Sequence, residues 1–267
     1  MKNYILEVCV DSLESALAAE KGGANRLELC SGLVIGGLTP SPNLFSAIKN
    51  QCKIKIHVLI RPRFGDFCYS DGEFQNILED VKLFRNLGAD GVVIGCLLPD
   101  GELDVKRLQI LKEASGSMSV TLHRAFDMCK NPIKAINQCK EIGINTILTS
   151  GQRENCLEGA KNLSLYVKEA SSQVDILAGG GISASVIQKI KPITGLTCFH
   201  MSGKITEVSK MTYKNPDVFM GLPGISEYEI WKTDSDKIAA AKEVLENLWF
   251  YTDFIINLQR RASRVFT

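Results

Sequence analysis

The sequence predicts a closed (β/α)8 barrel of the TIM type, on three observations. Eight short, β-branched apolar runs alternate with longer amphipathic ones along nearly the whole chain, the pattern of parallel strands joined by crossover helices. Eight such units fit 267 residues, a length that one β/α barrel commonly fills. No G-x-G-x-x-G follows the first apolar run, which counts against an open dinucleotide-binding sheet.

The strands are expected at Tyr4–Val10, Asn25–Cys30, Lys55–Arg61, Gly91–Cys96, Ser119–His123, Thr146–Thr149, Asp175–Ala178 and Leu196–His200. Helical spacing of apolar residues follows them. In Asp11–Lys21 it is carried by Leu13, Ala16, Leu17 and Ala19, and in Glu73–Leu87 by Phe74, Ile77, Leu78, Val81 and Phe84. Gly88 and Gly143 end the third and fifth crossover segments, each just before a strand. A last helix is expected around Asp236–Leu258. No linker or low-complexity tract interrupts the series, so residues 1–267 read as one barrel domain, with the motif-bearing part at about 4–204.

Bulk composition excludes several function classes. A formal net charge of +1 gives no electrostatic case for nucleic acid or an anionic membrane. No apolar run approaches the roughly 18–20 residues that span a bilayer, and the first apolar run contains acids, unlike a signal peptide. The nine cysteines form no C-x-x-C pair and mostly sit within apolar runs, which suits reduced thiols in a cytoplasmic protein. Zinc-site spacings are absent.

In barrels of this type the site lies at the carboxyl ends of the strands. Alternation assigns faces there. Leu6, Val8 and Val10 face the helices, turning Glu7 and Cys9 inward; Leu27 and Leu29 do the same for Arg26, Glu28 and Cys30. His57 and Arg61 point inward from the third strand and His123 from the fifth. The repeated motif, LEVC then LELC, thus puts an acid and a thiol on one face of two strands. Either the thiols hold a soft metal or the carboxylates line an active site; a structural ion-pair cluster is the plainer reading. The turn Gly179-Gly180-Gly181 precedes a helix and Ser202 follows the eighth strand, a pattern that suits either a phosphate or a tight turn needing positive φ. His57 reads as a core histidine, and His200 is open between the two roles. Segments Arg63–Ser70 and Ser31–Pro42 are candidate lids or ordinary surface loops.

Taken in order, LEVCVDS, GGANRLELCSGL, GGLTPS, IRPRFGDFCYSD, LHRAFD, LTSG and GGGI resemble the CutC family of copper homeostasis proteins, from the first strand to about His200. The resemblance implies a (β/α)8 barrel, a cytosolic protein associating as a dimer or tetramer, and Cu(I) binding through Cys9 and Cys30, with Met201 or His200 expected nearby. Thiolates are soft donors that select Cu(I). The residues themselves support an alternative, an enzyme acting on a small anionic metabolite, phosphorylated or carbonyl-bearing. Glu7 or Glu28 would act as base, His123 as acid–base partner and Arg61 as stabiliser of negative charge, while Gly179, Gly180, Gly181 and Ser202 hold a phosphate. No lysine closes a central strand, which disfavours a Schiff-base aldolase. A catalytically inert scaffold is a third reading.

Overall fold

A computed structural model describes residues 4–221 and 224–248. Strands β1 (Ile5–Val10), β2 (Arg26–Leu29), β3 (Lys55–Leu59), β4 (Gly91–Ile94), β5 (Ser119–Leu122), β6 (Thr146–Thr149), β7 (Asp175–Gly179) and β8 (Cys198–Met201) close into one parallel barrel in sequential order. Around it lie α1 (Leu13–Gly22), α2 (Pro42–Gln51), α3 (Asp71–Asn86), α4 (Val105–Ser115), α5 (Pro132–Ile142), α6 (Ala160–Ala170) and α7 (Ala184–Thr194). An eighth helix, α8, runs over residues 235–248; the part of the expected last helix beyond 248 lies outside the described residues. Between β8 and α8 the chain departs from the simple repeat. An antiparallel pair, β9 (Lys204–Val208) and β10 (Glu229–Thr233), follows the carboxyl end of β8, with Lys204 opposite Thr233.

Local signals start and stop these elements. Ser12, Ser41, Ser70, Asp104, Asn131 and Ser183 each cap a helix N-terminus through the side chain, offsetting backbone donors that the helix leaves unpaired. At α3 the cap is reciprocal, Ser70 with Glu73. Gly143 closes α5 in the left-handed conformation at φ 81°. Among the described residues no helix is long and apolar enough to cross a membrane.

Alternation sorts the core into layers. Leu6, Val8, Val10, Leu27, Leu29, Val58 and Val92 join the large cluster between sheet and helices. Inward positions form two small apolar groups instead, Ile5, Leu148, Leu177 and Cys198 at one level and Cys30, Leu59 and Val93 at another. The polar inward residues Glu7, Arg26, Glu28, His57, Thr121, His123 and Thr149 are all buried.

The three histidines fit because a glycine stands beside each. A Cβ on Gly91 would come 2.6 Å from the His57 ring, one on Gly95 2.4 Å from His123, and one on Gly179 3.4 Å from His200. Imidazoles therefore replace side chains that neighbouring strands lack, which keeps the interior close-packed. Gly95→Ala is expected to destabilise the fold by about 1–3 kcal/mol through overpacking. Urea denaturation checks this, and His123→Ala in the same chain should restore part of the loss. Full stability in Gly95→Ala would contradict the packing.

Candidate functional site

Closure of the barrel makes β8 a neighbour of β1, and this brings together residues nearly two hundred positions apart. In the register, Glu7 lies opposite Arg26 on β2 and His200 on β8, while Cys9 lies opposite Glu28. The fully buried Glu7 carboxylate uses both oxygens. Oε2 accepts from Arg26 Nε in an ion pair, and Oε1 is 2.7 Å from His200 Nδ1. The other imidazole nitrogen, Nε2, stands 3.8 Å from Glu28 Oε2. Ligand atoms of Cys9, Glu28 and His200 all lie within 4.8 Å of one another.

The charges in this cluster depend on one another. Burial alone would raise Glu7, but the Arg26 guanidinium and the His200 hydrogen bond outweigh it and bring the carboxyl down to about 2. Glu28 has no such partner, so burial, reinforced by Glu7, pushes it up to about 7 against the pull of His200. Burial opposes the charging of His200, yet the Cys9 side chain and the two carboxylates overcome it and raise the imidazole well above 6.5.

The other residues singled out from the sequence lie elsewhere. Cys30 donates weakly to the Val10 carbonyl at 3.5 Å and packs with Leu59 and Val93; it is not part of the three-donor group. Burial drives its thiol pKa far upward. His123 stacks against Phe67 at 4.6 Å between ring centroids, its Nδ1 accepts from the Ala125 N–H, and its Nε2 has no partner. Burial, helped by Arg61, lowers it to about 3. Arg61 donates to the Gly37 carbonyl at 3.2 Å and the Gly65 carbonyl at 2.8 Å, with its guanidinium over Phe67. This side chain ties the two candidate lid loops to the strand that carries it. His123 and Arg61 thus belong to an aromatic plug on the β3–β5 side, and no hydrogen bond joins His123 to either glutamate. His57 is a core histidine as expected, lowered to about 4 by burial and by Arg26.

What stays open is the side nearest Cys9. A cavity of about 430 Å³ is lined by Cys9, Asp11, Leu33, Arg124, Gly181, Ser202, Lys204, Trp231 and Lys232, among others. Gly181 and Ser202, expected at an anion site, do share this cavity. Sequence reasoning missed Arg124, Lys204, Trp231 and Lys232. Arg124 sits inside the LHRAFD motif and Lys204 in FHMSGK, so both had a positional signal; Trp231 and Lys232 had none.

Comparison with known proteins places the chain. The sequence model of the CutC family matches residues 4–205. A CutC family protein from Bacteroides thetaiotaomicron is 45% identical over 240 residues, covering 89% of this chain and 96% of that protein. The human copper homeostasis protein cutC homolog is 39% identical over 246 residues, 92% of this chain and 90% of the relative. The crystal structure of CutC from Streptococcus agalactiae superposes with a TM-score of 0.71 at 30% identity, over 74% of this chain and 98% of that one.

The buried pair gives a test with a defined sign. Glu7 titrates lower in the folded chain than its ordinary value of 4.5, so its stabilisation is present above that pH and is lost as the pH falls towards 2. Arg26→Met removes the partner and leaves the carboxyl buried, at an expected cost of about 3–5 kcal/mol at neutral pH. The gap from wild type should narrow as the pH approaches 4.5, because the abandoned carboxyl can then take up a proton. Denaturation midpoints between pH 4.5 and 7.5 check this; a gap that does not vary with pH would contradict the pairing. On its sequence match, its relatives and its barrel, the chain belongs to the CutC family.

Proposed function

We propose that the chain binds copper as Cu(I), with Cys9 and His200 as the principal ligands and Glu28 beside them. The observation that carries this reading is the convergence of the three donor atoms within 4.8 Å, with Glu7 holding the opposite nitrogen of His200. A carboxylate on the far ring nitrogen fixes the tautomer and aims Nε2, which is how metal-ligating histidines are usually supported. A thiolate and an imidazole are donors that Cu(I) accepts, so the residues present fit the ion. The carboxylate of Glu28 is a hard donor, so it stands beside the ion rather than serving as a principal ligand. Cys9 lines the cavity, which supplies a way in. The names of the human relative and of the Streptococcus agalactiae structure, each a copper homeostasis protein, point to the same metal.

The thiol pair expected from the resemblance, Cys9 with Cys30, is the rival ligand set. It requires Cys30 to leave its apolar pocket. An anaerobic Cu(I) titration against a competing chelator separates the two. Cys9→Ser and His200→Gln are expected to weaken binding at least 100-fold, and Cys30→Ser by less than 10-fold. Loss in Cys30→Ser with retention in His200→Gln would assign the ion to the thiol pair and overturn this reading.

A second reading, catalysis on a small anionic metabolite, is favoured by one observation. A carboxyl with a pKa near 7 faces an imidazole next to a cavity of ligand size. That reading transfers the acid–base role expected for His123 to His200. It demands Glu28 and tolerates Cys9→Ser, the reverse of copper binding.

A further inference from the structure

The cavity beside Cys9 has a feature that copper binding does not use. Its lining carries three cations, Arg124, Lys204 and Lys232, against one carboxylate, Asp11. Two of the cations come from the β9–β10 pair, which lies almost wholly beyond the residues matched to the family.

Arg124 is held for a task. Its Nε donates to Asp127 at 2.7 Å and its Nη2 to Ser150 at 2.8 Å, while Asp127 is itself fixed by the backbone N–H groups of Ser150 and Gln152. The third nitrogen, Nη1, has no acceptor among the described residues. It lies over the glycine turn, 3.7 Å from where a Cβ on Gly180 would be. That turn has φ 109° at Gly180 and 73° at Gly181, a conformation that side chains other than glycine rarely adopt. Among the described residues, the backbone N–H groups of Gly180 and Gly181 donate to no protein acceptor.

Lys204 lines the same cavity. Its ammonium lies 3.1 Å from the Trp231 ring centroid and makes no ion pair among the described residues, whereas Lys232 is paired with Glu207 at 2.7 Å. Ser202 also lines the cavity, and its hydroxyl accepts from the Lys204 N–H at 3.4 Å. Arg124, Lys204, Ser202 and Gly181 thus line one space in which Asp11 is the single carboxylate among the described lining residues. Such a set suits a group with several acceptor oxygens and more than one negative charge.

We propose that this cavity binds the phosphoryl group of a small phosphorylated metabolite, held by Arg124, Ser202 and Lys204 over the Gly180–Gly181 turn, with Trp231 covering the remainder of the molecule. None of the groups proposed to hold the phosphoryl group is a proposed copper ligand, although Cys9 lines the same cavity. A volume of about 430 Å³ is enough for a phosphorylated molecule of sugar size. The β9–β10 pair supplies the side that the barrel itself lacks.

The test uses metal-stripped full-length protein, so that failure of copper binding cannot affect the outcome. Inorganic phosphate is titrated at constant ionic strength, followed by isothermal calorimetry and by tryptophan fluorescence. Saturable 1:1 binding is expected, weakened at least 10-fold in Lys204→Gln and in Arg124→Gln. Lys112→Gln, in the last turn of α4, should leave it unchanged. Circular dichroism melts confirm that each variant is folded, and Arg124→Lys provides a milder change should Arg124→Gln unfold. Absence of saturable binding, or binding that all the variants reduce alike or none reduces, would overturn the proposal.

Discussion

The buried ion pair between Glu7 and Arg26 is the constraint on which the rest of the mouth depends. A carboxylate with no solvent exposure is tolerated only if its charge is met nearby, and Arg26 on the adjacent strand meets it. Because that charge is fixed, the second oxygen of Glu7 can hold His200 in one orientation. Because His200 is held, its free nitrogen faces Cys9 and Glu28. The sequence of dependence runs from one strand register, Glu7 between Arg26 and His200, to a three-donor site.

Two halves of the mouth serve different purposes. On the β3–β5 side, Arg61, Phe67 and His123 are stacked and bonded to loop carbonyls, leaving little for a ligand to touch. On the β7–β8–β1 side, Cys9 and Arg124 face an open cavity, bounded on its outer edge by β10. The loops after β2 and β3, which Arg61 joins, therefore close one half of the barrel and leave the other to the hairpin. Polar groups inside the barrel are expensive, and here their cost is offset by pairing where there is charge and by glycines where there is bulk.

Most of the fold could be read directly from the sequence, since β-branched runs and helical spacing mark all eight units to within a few residues. Alternation also turned Glu7, Cys9, Arg26 and Glu28 inward. What alternation cannot say is which inward residues meet. Glu7 and His200 are 193 residues apart, and only closure makes their strands neighbours. His123 follows directly on β5, which closure leaves remote from β1, so it joins Phe67 rather than a glutamate. Arg61 was misleading for another reason: a long side chain at a strand end can turn back to loop carbonyls that face patterning does not reveal. The β9–β10 pair had no signal, because β9 is exposed over most of its length and shows no apolar alternation.

Copper binding at this mouth requires His200 to be a ligand aimed by Glu7. X-ray absorption at the copper edge of the Cu(I)-loaded protein tests that directly. A first shell with one sulfur and the multiple-scattering signature of an imidazole is the result expected from the geometry. A shell of two sulfurs with no imidazole would contradict it, and would return the metal to the pair of thiols on the first two strands.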